Sequence, residues 1–383
     1  MLVHTMAWRD GAGWSAPWPA GLDSPTTLAV AFGGASAADS RAAIAELGQR
    51  LPHAVLVGCS TAGEIFASHV QDASLSVAVA RFDGVTLQKA ELPVAPGADS
   101  FAVGEALGRA LPGPGLRAVF VLCDGLHVNG SRLAAGLNAV LPADVVVTGG
   151  LAGDGERFAS TWVVAGGAPA ERYVTAVGFY GDGLVIGHGC DTGWSTFGPE
   201  RRITKSERNV LYELDGKPAL ALYKAYLGER AAGLPATALL FPLSIRLDAD
   251  DAHPLIRTVL AVDEAAQSMT FAGDVPEGYL ARLMRTNTER LIQSAGLAGR
   301  TAAREFAPTS APLVLSVSCV GRHLVLGERT DEEIESVLAA VPPRAGQVGF
   351  YSYGEMSPRL PGGGCDLHNQ TMTVTLIDEV RPE

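Results

Sequence analysis

A glycine turn that ends in a carboxylate occurs twice in this chain, almost three hundred residues apart. The first copy reads VGCSTAGEI, from Val57 to Ile65, and the second reads VGFYSYGEM, from Val348 to Met356. Glycine has no side chain and adopts unusual dihedral angles, so its backbone N–H group can approach a ligand closely. A carboxylate beside such a turn can receive an amino or guanidino group. The pattern predicts a binding site for a small polar molecule.

The candidate ligand-binding residues lie in these two turns and in two further segments. The segments are GGLAGDG at 149–155, which lacks the lysine and Ser/Thr of a P-loop, and CDLHNQT at 365–371. Together they give the following candidates: Ser60, Thr61, Gly63, Glu64, Gly149, Gly150, Asp154, Ser352, Tyr353, Glu355 and Asn369. In an alternative interpretation the glycines only make sharp corners, the glutamates cap nearby backbone, and Asp154 organises a turn.

Catalytic motifs are sparse. Neither a G-x-S-x-G elbow nor an H-E-x-x-H motif occurs in the sequence. Cys59 stands next to Ser60, but no histidine in the same motif could activate the thiol. Cys365 and His368 lie three residues apart and could share a metal ion, although a zinc site needs further ligands. We expect a protein that is not an enzyme, with an enzyme of a small polar substrate as the alternative.

The elements around the turns repeat. Each turn follows a pattern of strand, helix and strand, and a further strand comes after it, as in TTLAVAFGG, DSRAAIAELGQRL, AVLVG and SLSVAVARF. A third, looser copy begins at LRAVFVLCDG and includes GGLAGDG. This self-similarity predicts an α+β fold of two mixed α/β domains with internally duplicated strand-helix-strand-turn-strand units. We expect the domains to span residues 25–170 and 171–383.

Two local patterns in the second half give further predictions. RYVTAVGFYGDGLVIGHGC is typical of two strands joined by a Gly-Asp-Gly hairpin turn. GKPALALYKAYLG and PEGYLARLMRTNTERLIQSAG favour helices.

Composition excludes several classes of protein. The 383 residues include 29 basic and 41 acidic side chains, and the resulting charge of −12 disfavours a nucleic-acid partner. No apolar run is long enough for a membrane span, and the N-terminus does not have the pattern of a secretory signal. The five cysteines include no C-x-x-C pair, which favours free thiols in a reducing compartment. We expect a cytoplasmic protein, of bacterial origin by its frequent Ala, Gly and Arg, and a homo-oligomer is compatible with the sequence.

Several segments resemble the signature segments of the FIST family in the expected order. They are VGCSTAGEI, TGGLAGDGERF, NVLYELDGKPAL, and GFYSYGEM with CDLHNQTMTVTL, and the resemblance runs from about residue 25 to the end. It implies a sensory module that binds a small ligand and acts on a separate signalling partner, such as a histidine kinase. One branch of the family binds haem and senses nitric oxide, and the two-part layout of this chain is similar to that branch.

If the resemblance extends to haem, one side chain must supply an axial ligand. His188, at a strand end between glycines, and His368 are the candidates, and a hydrogen-bonded structural role is the alternative for each. An amino-acid-like metabolite is the second candidate ligand, suggested by Glu64 and Glu355. On either interpretation, we expect the repeated turns to converge and their carboxylates to line one shared cavity.

Overall fold

The structure is a computed structural model that describes residues 1–34, 36–111, 113–234, 236–360 and 362–380. Its helices lie between strands of four mixed or antiparallel sheets, so the predicted α+β class is confirmed. The helices are α1 (Ala37–Arg50), α2 (Ser100–Arg109), α3 (Gly130–Val140), α4 (Ala219–Leu227), α5 (Thr288–Ala302), α6 (Val320–Leu326) and α7 (Thr330–Leu338). Short 3₁₀ helices occupy Gly228–Gly233, Ala236–Leu240 and Gly327–Arg329.

The strands fall into three stretches of chain. The first stretch has β1 (Leu2–Arg9), β2 (Gly13–Trp14), β3 (Thr27–Gly33), β4 (Val55–Ser60), β5 (Glu64–Phe66), β6 (His69–Gln71), β7 (Ser74–Arg81), β8 (Thr86–Pro93), β9 (Leu116–Cys123), β10 (Val146–Leu151), β11 (Val163–Ala165), β12 (Ala168–Ala170), β13 (Tyr173–Tyr180) and β14 (Leu184–Asp191). The second has β15 (Ser195–Glu207), β16 (Val210–Leu214), β17 (Lys217–Pro218), β18 (Leu243–Arg246), β19 (Leu255–Arg257), β20 (Val259–Asp263), β21 (Ser268–Phe271) and β22 (Leu280–Arg285). The third has β23 (Leu313–Cys319), β24 (Gly346–Ser352), β25 (Gly354–Pro358), β26 (Cys365–His368) and β27 (Met372–Glu379).

Three of the sheets repeat one four-stranded arrangement. In unit 1, β1 pairs antiparallel with β7, β7 pairs antiparallel with β3, and β3 pairs in parallel with β4. The same order is formed by β8, β13, β9 and β10 in unit 2, and by β14, β27, β23 and β24 in unit 3. Helical segments connect the two parallel strands of each unit, as a parallel crossover requires. The predicted repetition of the unit, including its third copy, is confirmed.

A short hairpin leaves each unit and joins the sheet of another. The β5–β6 hairpin of unit 1 pairs with β24, the β11–β12 hairpin of unit 2 pairs with β4, and the β25–β26 hairpin of unit 3 pairs with β10. The exchange is cyclic, so the three units interlock as one closed body. A glycine turn precedes each hairpin, and each unit therefore carries its own copy of the turn.

The inner faces of the three sheets share one apolar core. Phe32, Phe120 and Phe350, one from each unit, belong to it, and the rings of Phe32 and Phe350 stack with centroids 4.8 Å apart. Every residue of β3 is buried, as expected for a strand covered on both faces.

The described residues between 195 and 285 interrupt unit 3 and form a separate sheet of eight strands, which we term the inserted domain. It has its own apolar core. Among the described residues, the hydrogen bonds that connect it to units 2 and 3 include Arg257 Nη1 to Leu367 O (3.0 Å), Asn129 Nδ2 to Asp274 Oδ1 (2.8 Å), Gln370 Nε2 to Leu239 O (3.2 Å), Asp274 N to Ser131 Oγ (3.3 Å) and Arg359 Nη1 to His253 O (2.8 Å). The inserted domain thus lies against the body at a defined seam.

The local predictions had mixed outcomes. The helix at GKPALALYKAYLG is confirmed as α4. The predicted hairpin at residues 181–183 is wrong, because β13 and β14 pair in the sheets of units 2 and 3 respectively. The predicted helix at PEGYLARLMRTNTERLIQSAG is wrong in its first part, which forms β22 before α5 begins.

The predicted domain division between residues 170 and 171 stays a prediction. β13, which follows it, pairs with β8 and β9, which precede it. Within the described residues, no helix combines the length and the apolar character that a bilayer span requires.

Candidate functional site

The three glycine turns meet in a ring of backbone hydrogen bonds. In each unit an N–H group of the turn donates to a carbonyl oxygen of another unit: Ala62 to Tyr351 (2.8 Å), Gly153 to Ser60 (3.0 Å) and Tyr353 to Leu151 (3.2 Å). The three bonds follow the same cyclic order as the exchanged hairpins. The predicted convergence of the turns is therefore confirmed.

A glycine in each outer parallel strand permits close contact with the central strand. A Cβ atom at Gly58, Gly149 or Gly349 would lie 2.1, 1.8 or 1.9 Å from a carbonyl oxygen of the neighbouring strand. At Gly150 a Cβ would lie 2.8 Å from Val317 Cγ1. Gly149 and Gly150 line neither of the two cavities described below. The structure thus places Gly149 and Gly150 where the backbones of two strands pack closely.

Glu64 and Glu355 make the same contacts in their respective units. Thr61 Oγ1 donates to Glu64 Oε1, and the backbone N–H and hydroxyl of Ser74 donate to Oε2, both at 2.9 Å. Ser352 Oγ donates to Glu355 Oε1 (2.6 Å), and Thr371 donates to Oε2 through its hydroxyl (2.7 Å) and its N–H (3.2 Å). Each glutamate therefore joins its own turn to the start of the last strand of its unit.

These contacts correct the expectation of one shared acidic cavity. Glu64 lines a cleft on one side of the ring, whereas Glu355 has no exposed surface and lines neither that cleft nor the cavity next to it. The carboxylates stand close to turn backbone and hydroxyl groups, as in the alternative interpretation of the sequence. Ser60 is also fully buried, and its hydroxyl accepts the N–H of Trp162 (3.0 Å).

Burial raises the pKa of Glu64 and that of Glu355 to about 7, although the hydrogen bonds to each favour the charged form. The folded protein therefore holds two more protons than the unfolded chain between about pH 4.5 and 7. The stability that they contribute is full below about pH 4.5 and is lost as the pH rises through 7.

We expect the double variant Glu64→Gln/Glu355→Gln to remove this loss, which amounts to up to about 3 kcal/mol per glutamate. Urea unfolding of the variant and of the unmodified protein at pH 5, 6, 7 and 8 measures the difference. Glu156→Gln, a change at an exposed glutamate in the same cleft, is the control and should leave the pH dependence unaltered. If the free energy of unfolding changes with pH equally in the double variant and in the unmodified protein, the raised pKa values of Glu64 and Glu355 are refuted.

The cleft next to Glu64 has a volume of about 800 Å³, and we term it the acid-lined cleft. Its polar lining comes from units 1 and 3 and from the turn of unit 2: Ser36, Ser40, Thr61, Glu64, Asp72, Ser74, Asp154, Glu156, Arg157 and His323. Gly63 lines it as well, with φ at +135°. Of the predicted site residues, Thr61, Gly63, Glu64 and Asp154 thus lie together here.

His323, which the sequence interpretation missed, faces the acid-lined cleft from α6. Its Nδ1 lies 3.0 Å from Ala62 O, and its ring stacks on Tyr351 with centroids 4.6 Å apart. Its position just after the buried strand β23 is the signal that could have identified it, because the ends of parallel strands gather at one edge of a sheet.

A second cavity lies between the body and the inserted domain, and we term it the interdomain cavity. Its volume is about 360 Å³. The body contributes Leu126, His127, Leu151, Val320, Tyr353 and Asn369, and the inserted domain contributes Arg208, Asn209, Leu239, Thr258, Leu260 and Ala272. Tyr353 and Asn369 were predicted site residues, whereas Thr258 and His127 were not.

Among the residues that the structure describes, two polar atoms in the lining of the interdomain cavity have no hydrogen-bond partner. They are Asn369 Oδ1, on a side chain with no exposed surface, and Thr258 Oγ1, on a side chain that is 4% exposed. A buried polar atom without a partner costs about 1–3 kcal/mol. The lining of the cavity therefore contains one carbonyl oxygen and one hydroxyl group that make no hydrogen bond within the described residues.

A loop built around Asp154 separates the two cavities. Asp154 lines the acid-lined cleft and accepts the backbone N–H groups of Phe158, Ala159 and Ser160, at 2.9 to 3.0 Å. Tyr353 donates its hydroxyl to Asp154 and stacks on Phe158, with ring centroids 4.5 Å apart, on the side of the interdomain cavity. Phe158 has a positive φ of +49°, which is rare for a bulky residue and often marks a functional position.

The two histidines predicted as haem ligands lie elsewhere. His368 is buried in β26 with Nε2 2.8 Å from Ser357 O, and burial lowers its pKa to about 4. His188 is half-buried in β14, and burial lowers its pKa as well. Neither lines the acid-lined cleft or the interdomain cavity, so neither is placed to ligate haem there. In the described part of the chain, no three His, Cys, Asp or Glu side chains are grouped to hold a metal ion.

The two cysteines considered as nucleophiles are buried thiols. Burial raises the pKa of Cys59 and that of Cys365 well above the ordinary value. A nucleophilic cysteine needs a thiolate near neutral pH. The surroundings of both residues favour the protonated form.

Comparisons with known proteins give one extensive match and two weaker ones. The model of the FIST N domain matches residues 27–217, and the model of the FIST C domain matches residues 219–358. The uncharacterized protein MJ1623 of Methanocaldococcus jannaschii is 29% identical over 166 residues, which cover 40% of this chain and 31% of that protein. The alignment thus spans about a third of that relative's length.

Among solved structures, the crystal structure of cyanuric acid hydrolase from A. caulinodans aligns over 99% of both chains at 11% identity, with a TM-score of 0.37. A likeness at that level supports no conclusion about fold or activity.

Proposed function

This chain belongs to the FIST family, and from that premise we propose that it senses a small organic molecule bound in its interdomain cavity. FIST domains are sensory domains that bind small ligands in signal transduction. The chain carries both the N-terminal and the C-terminal FIST domain, and binding without turnover is the corresponding activity.

The pair of unpartnered polar atoms in the interdomain cavity carries this proposal. Asn369 Oδ1 belongs to the body and Thr258 Oγ1 to the inserted domain. A ligand that bonds to both would satisfy two buried groups and would add a connection across the seam. The cavity volume of about 360 Å³ lies within the range of small-molecule sites.

The seam links ligand binding to the surface that a partner protein would contact. In the described residues, the polar contacts of Arg257, Asn129 and Gln370 are among those that connect the body with the inserted domain. A ligand that bonds to both sides stabilises the arrangement in which the body and the inserted domain are in contact. The stabilisation equals the difference between the ligand's binding free energy for that arrangement and its binding free energy for one in which the two parts have moved apart. A separate cytoplasmic protein, such as a histidine kinase, would respond to the changed surface, and a ligand-dependent change in its autophosphorylation rate would be the readout.

Filling the interdomain cavity should abolish ligand binding. Ala272 is a half-buried lining residue without a polar side chain, so Ala272→Phe occupies space and leaves Asn369 and Thr258 intact. We expect metabolites from a library to raise the melting temperature of the unmodified protein, because a ligand at 100 times its Kd stabilises the fold by about 2.7 kcal/mol. The A272F variant should lose that shift.

Ala266→Phe, at an exposed position outside the cavity, is the matched control and should keep the shift. Native mass spectrometry of the same samples counts the bound molecules. An undiminished shift in A272F would place the ligand elsewhere and would overturn the proposal.

Haem-based sensing of nitric oxide and an amino-acid-like ligand stay predictions. The first rests on the family resemblance, and the positions of His188 and His368 give it no support. Absence of Soret absorbance after haem addition would exclude haem binding. The second was suggested by Glu64 and Glu355, whose oxygens already accept hydroxyl and backbone N–H groups.

A further inference from the structure

We infer that the interdomain cavity selects an uncharged molecule that donates an N–H or O–H hydrogen bond at its buried end, such as a primary or secondary amide. The inference rests on the proposed function and specifies the ligand class for that site. The hydrogen-bonding capacity and the charge of the lining side chains carry it.

Asn369 fixes the direction of one hydrogen bond. Its Nδ2 donates to His368 O (2.9 Å), so the other end of the amide, the unpartnered Oδ1, is the carbonyl oxygen. A carbonyl oxygen only accepts hydrogen bonds. The group that satisfies it must therefore carry an N–H or O–H donor.

Thr258 supplies the complementary capacity from the inserted domain. Its unpartnered hydroxyl can donate one hydrogen bond and accept others. A primary amide has two N–H donors, a secondary amide has one, and each has a carbonyl acceptor, so either can serve both an acceptor at Asn369 and a donor at Thr258. A ligand without an N–H or O–H group leaves Asn369 Oδ1 unsatisfied.

Charge in the lining disfavours an ionised group at the buried end. No carboxylate is among the described residues that line the interdomain cavity, so a ligand ammonium would lose its hydration without a counter-ion. The lining residues able to carry positive charge are His127, whose Nδ1 lies 3.0 Å from Asp124 Oδ1, and the exposed Arg208. The buried polar groups are neutral, and so is the ligand group that matches them.

Aromatic and aliphatic side chains form much of the rest of the lining. Phe271 is fully buried, Tyr353 is nearly so, and Leu151 and Val320 stand beside them. A molecule with a flat apolar part and one amide group therefore matches the cavity. Benzamide is a simple probe of this class.

A matched series of four probes tests the inference by ligand-observed NMR on the full chain. The series is benzamide, N,N-dimethylbenzamide, benzoate and benzylammonium, which differ in the donor and the charge. We expect benzamide to bind at least tenfold more tightly than the other three. Thr258→Val and Asn369→Leu should each weaken benzamide binding at least tenfold.

Thr175→Val is the matched control, because Thr175 Oγ1 is also buried and unpartnered but lies in β13, away from the cavity lining. Both Thr→Val changes should raise the melting temperature, and only that at Thr258 should weaken binding. A raised melting temperature of T258V also excludes misfolding as the cause of its lost binding.

Three results would overturn the inference: equal or tighter binding of N,N-dimethylbenzamide, benzoate or benzylammonium, undiminished benzamide binding by T258V and N369L, or no binding by any probe. Such a result with loss of metabolite binding in A272F would leave the proposed function intact and would reject the amide class. An undiminished metabolite shift in A272F would instead reject the proposed function itself.

Discussion

Replacing Arg322 by methionine is expected to lower the free energy of unfolding by about 3–5 kcal/mol. Arg322 and Glu333 form an ion pair in which neither side chain has exposed surface. Arg322 Nε donates to Glu333 Oε1 (2.7 Å), and its other nitrogens donate to Thr192 O (2.6 Å) and Leu291 O (2.8 Å). The variant leaves the Glu333 carboxylate buried without a cation, and this accounts for most of the loss.

Arg322 also connects several elements at the base of the inserted domain. Thr192 precedes β15, Leu291 lies in α5 and Glu333 in α7, so one guanidinium joins three segments distant in sequence. Tyr351, in the ring of turns, donates its hydroxyl to Glu333 Oε2 (2.6 Å). Loss of Arg322 should therefore loosen both the seam and the ring.

Arg329→Met is the matched control. Arg329 pairs with Glu289 and Glu332, but all three side chains are more than a third exposed, and exposed ion pairs contribute about 0–1 kcal/mol. Urea unfolding of both variants at pH 7 gives the comparison. Equal losses of unfolding free energy in R322M and R329M would mean that the buried ion pair contributes no more to stability than the exposed one.

Gly349→Ala is expected to destabilise the fold by about 3 kcal/mol or more. An added Cβ would lie 1.9 Å from Ser316 O on the neighbouring parallel strand, so the two backbones would have to separate. The movement would disturb β24, which also pairs with the exchanged β5–β6 hairpin. Gly349 has no positive φ, so a steric clash is the whole effect.

The opposite change is expected at Gly48, which supplies the control. Gly48 lies in α1, and a Cβ there would meet only Leu56 Cδ2, at 3.9 Å. Gly48→Ala should stabilise the protein by up to about 1 kcal/mol, because alanine is the better helix former. Urea midpoints that move in opposite directions for the two variants would support the account. A G349A protein as stable as the unmodified protein would contradict it.

The repeating unit could be predicted from the sequence because its signals are local. An apolar strand, a helix and a glycine turn recur in a fixed order, and the glycine marks where the strand backbones approach, as at Gly58 and Gly349. The exchange of hairpins could not be predicted. β5 follows β4 directly but pairs with β24, and no local pattern specifies a partner so distant in sequence.

Local turn chemistry also misled the prediction at residues 181–183. Gly-Asp-Gly is a common hairpin turn, yet here it carries the chain from unit 2 to unit 3. The closed arrangement of the three units requires such a crossing. It is determined by the tertiary structure and not by the local sequence of the turn.

The candidate site could be predicted only in part. Thr61, Glu64 and Asp154 were identified by their chemistry and lie in one cleft, and Tyr353 and Asn369 lie in the other cavity. Thr258 could not be identified, because a single threonine in an apolar segment has no distinguishing pattern. Its significance comes from being buried without a partner across the seam from Asn369.

A crystal structure of the protein with the metabolite that stabilises it most would test the account most directly. We expect electron density for one molecule in the interdomain cavity, within hydrogen-bonding distance of Asn369 Oδ1 and Thr258 Oγ1. Density in the acid-lined cleft beside Glu64 and His323, with the interdomain cavity holding only water, would contradict it.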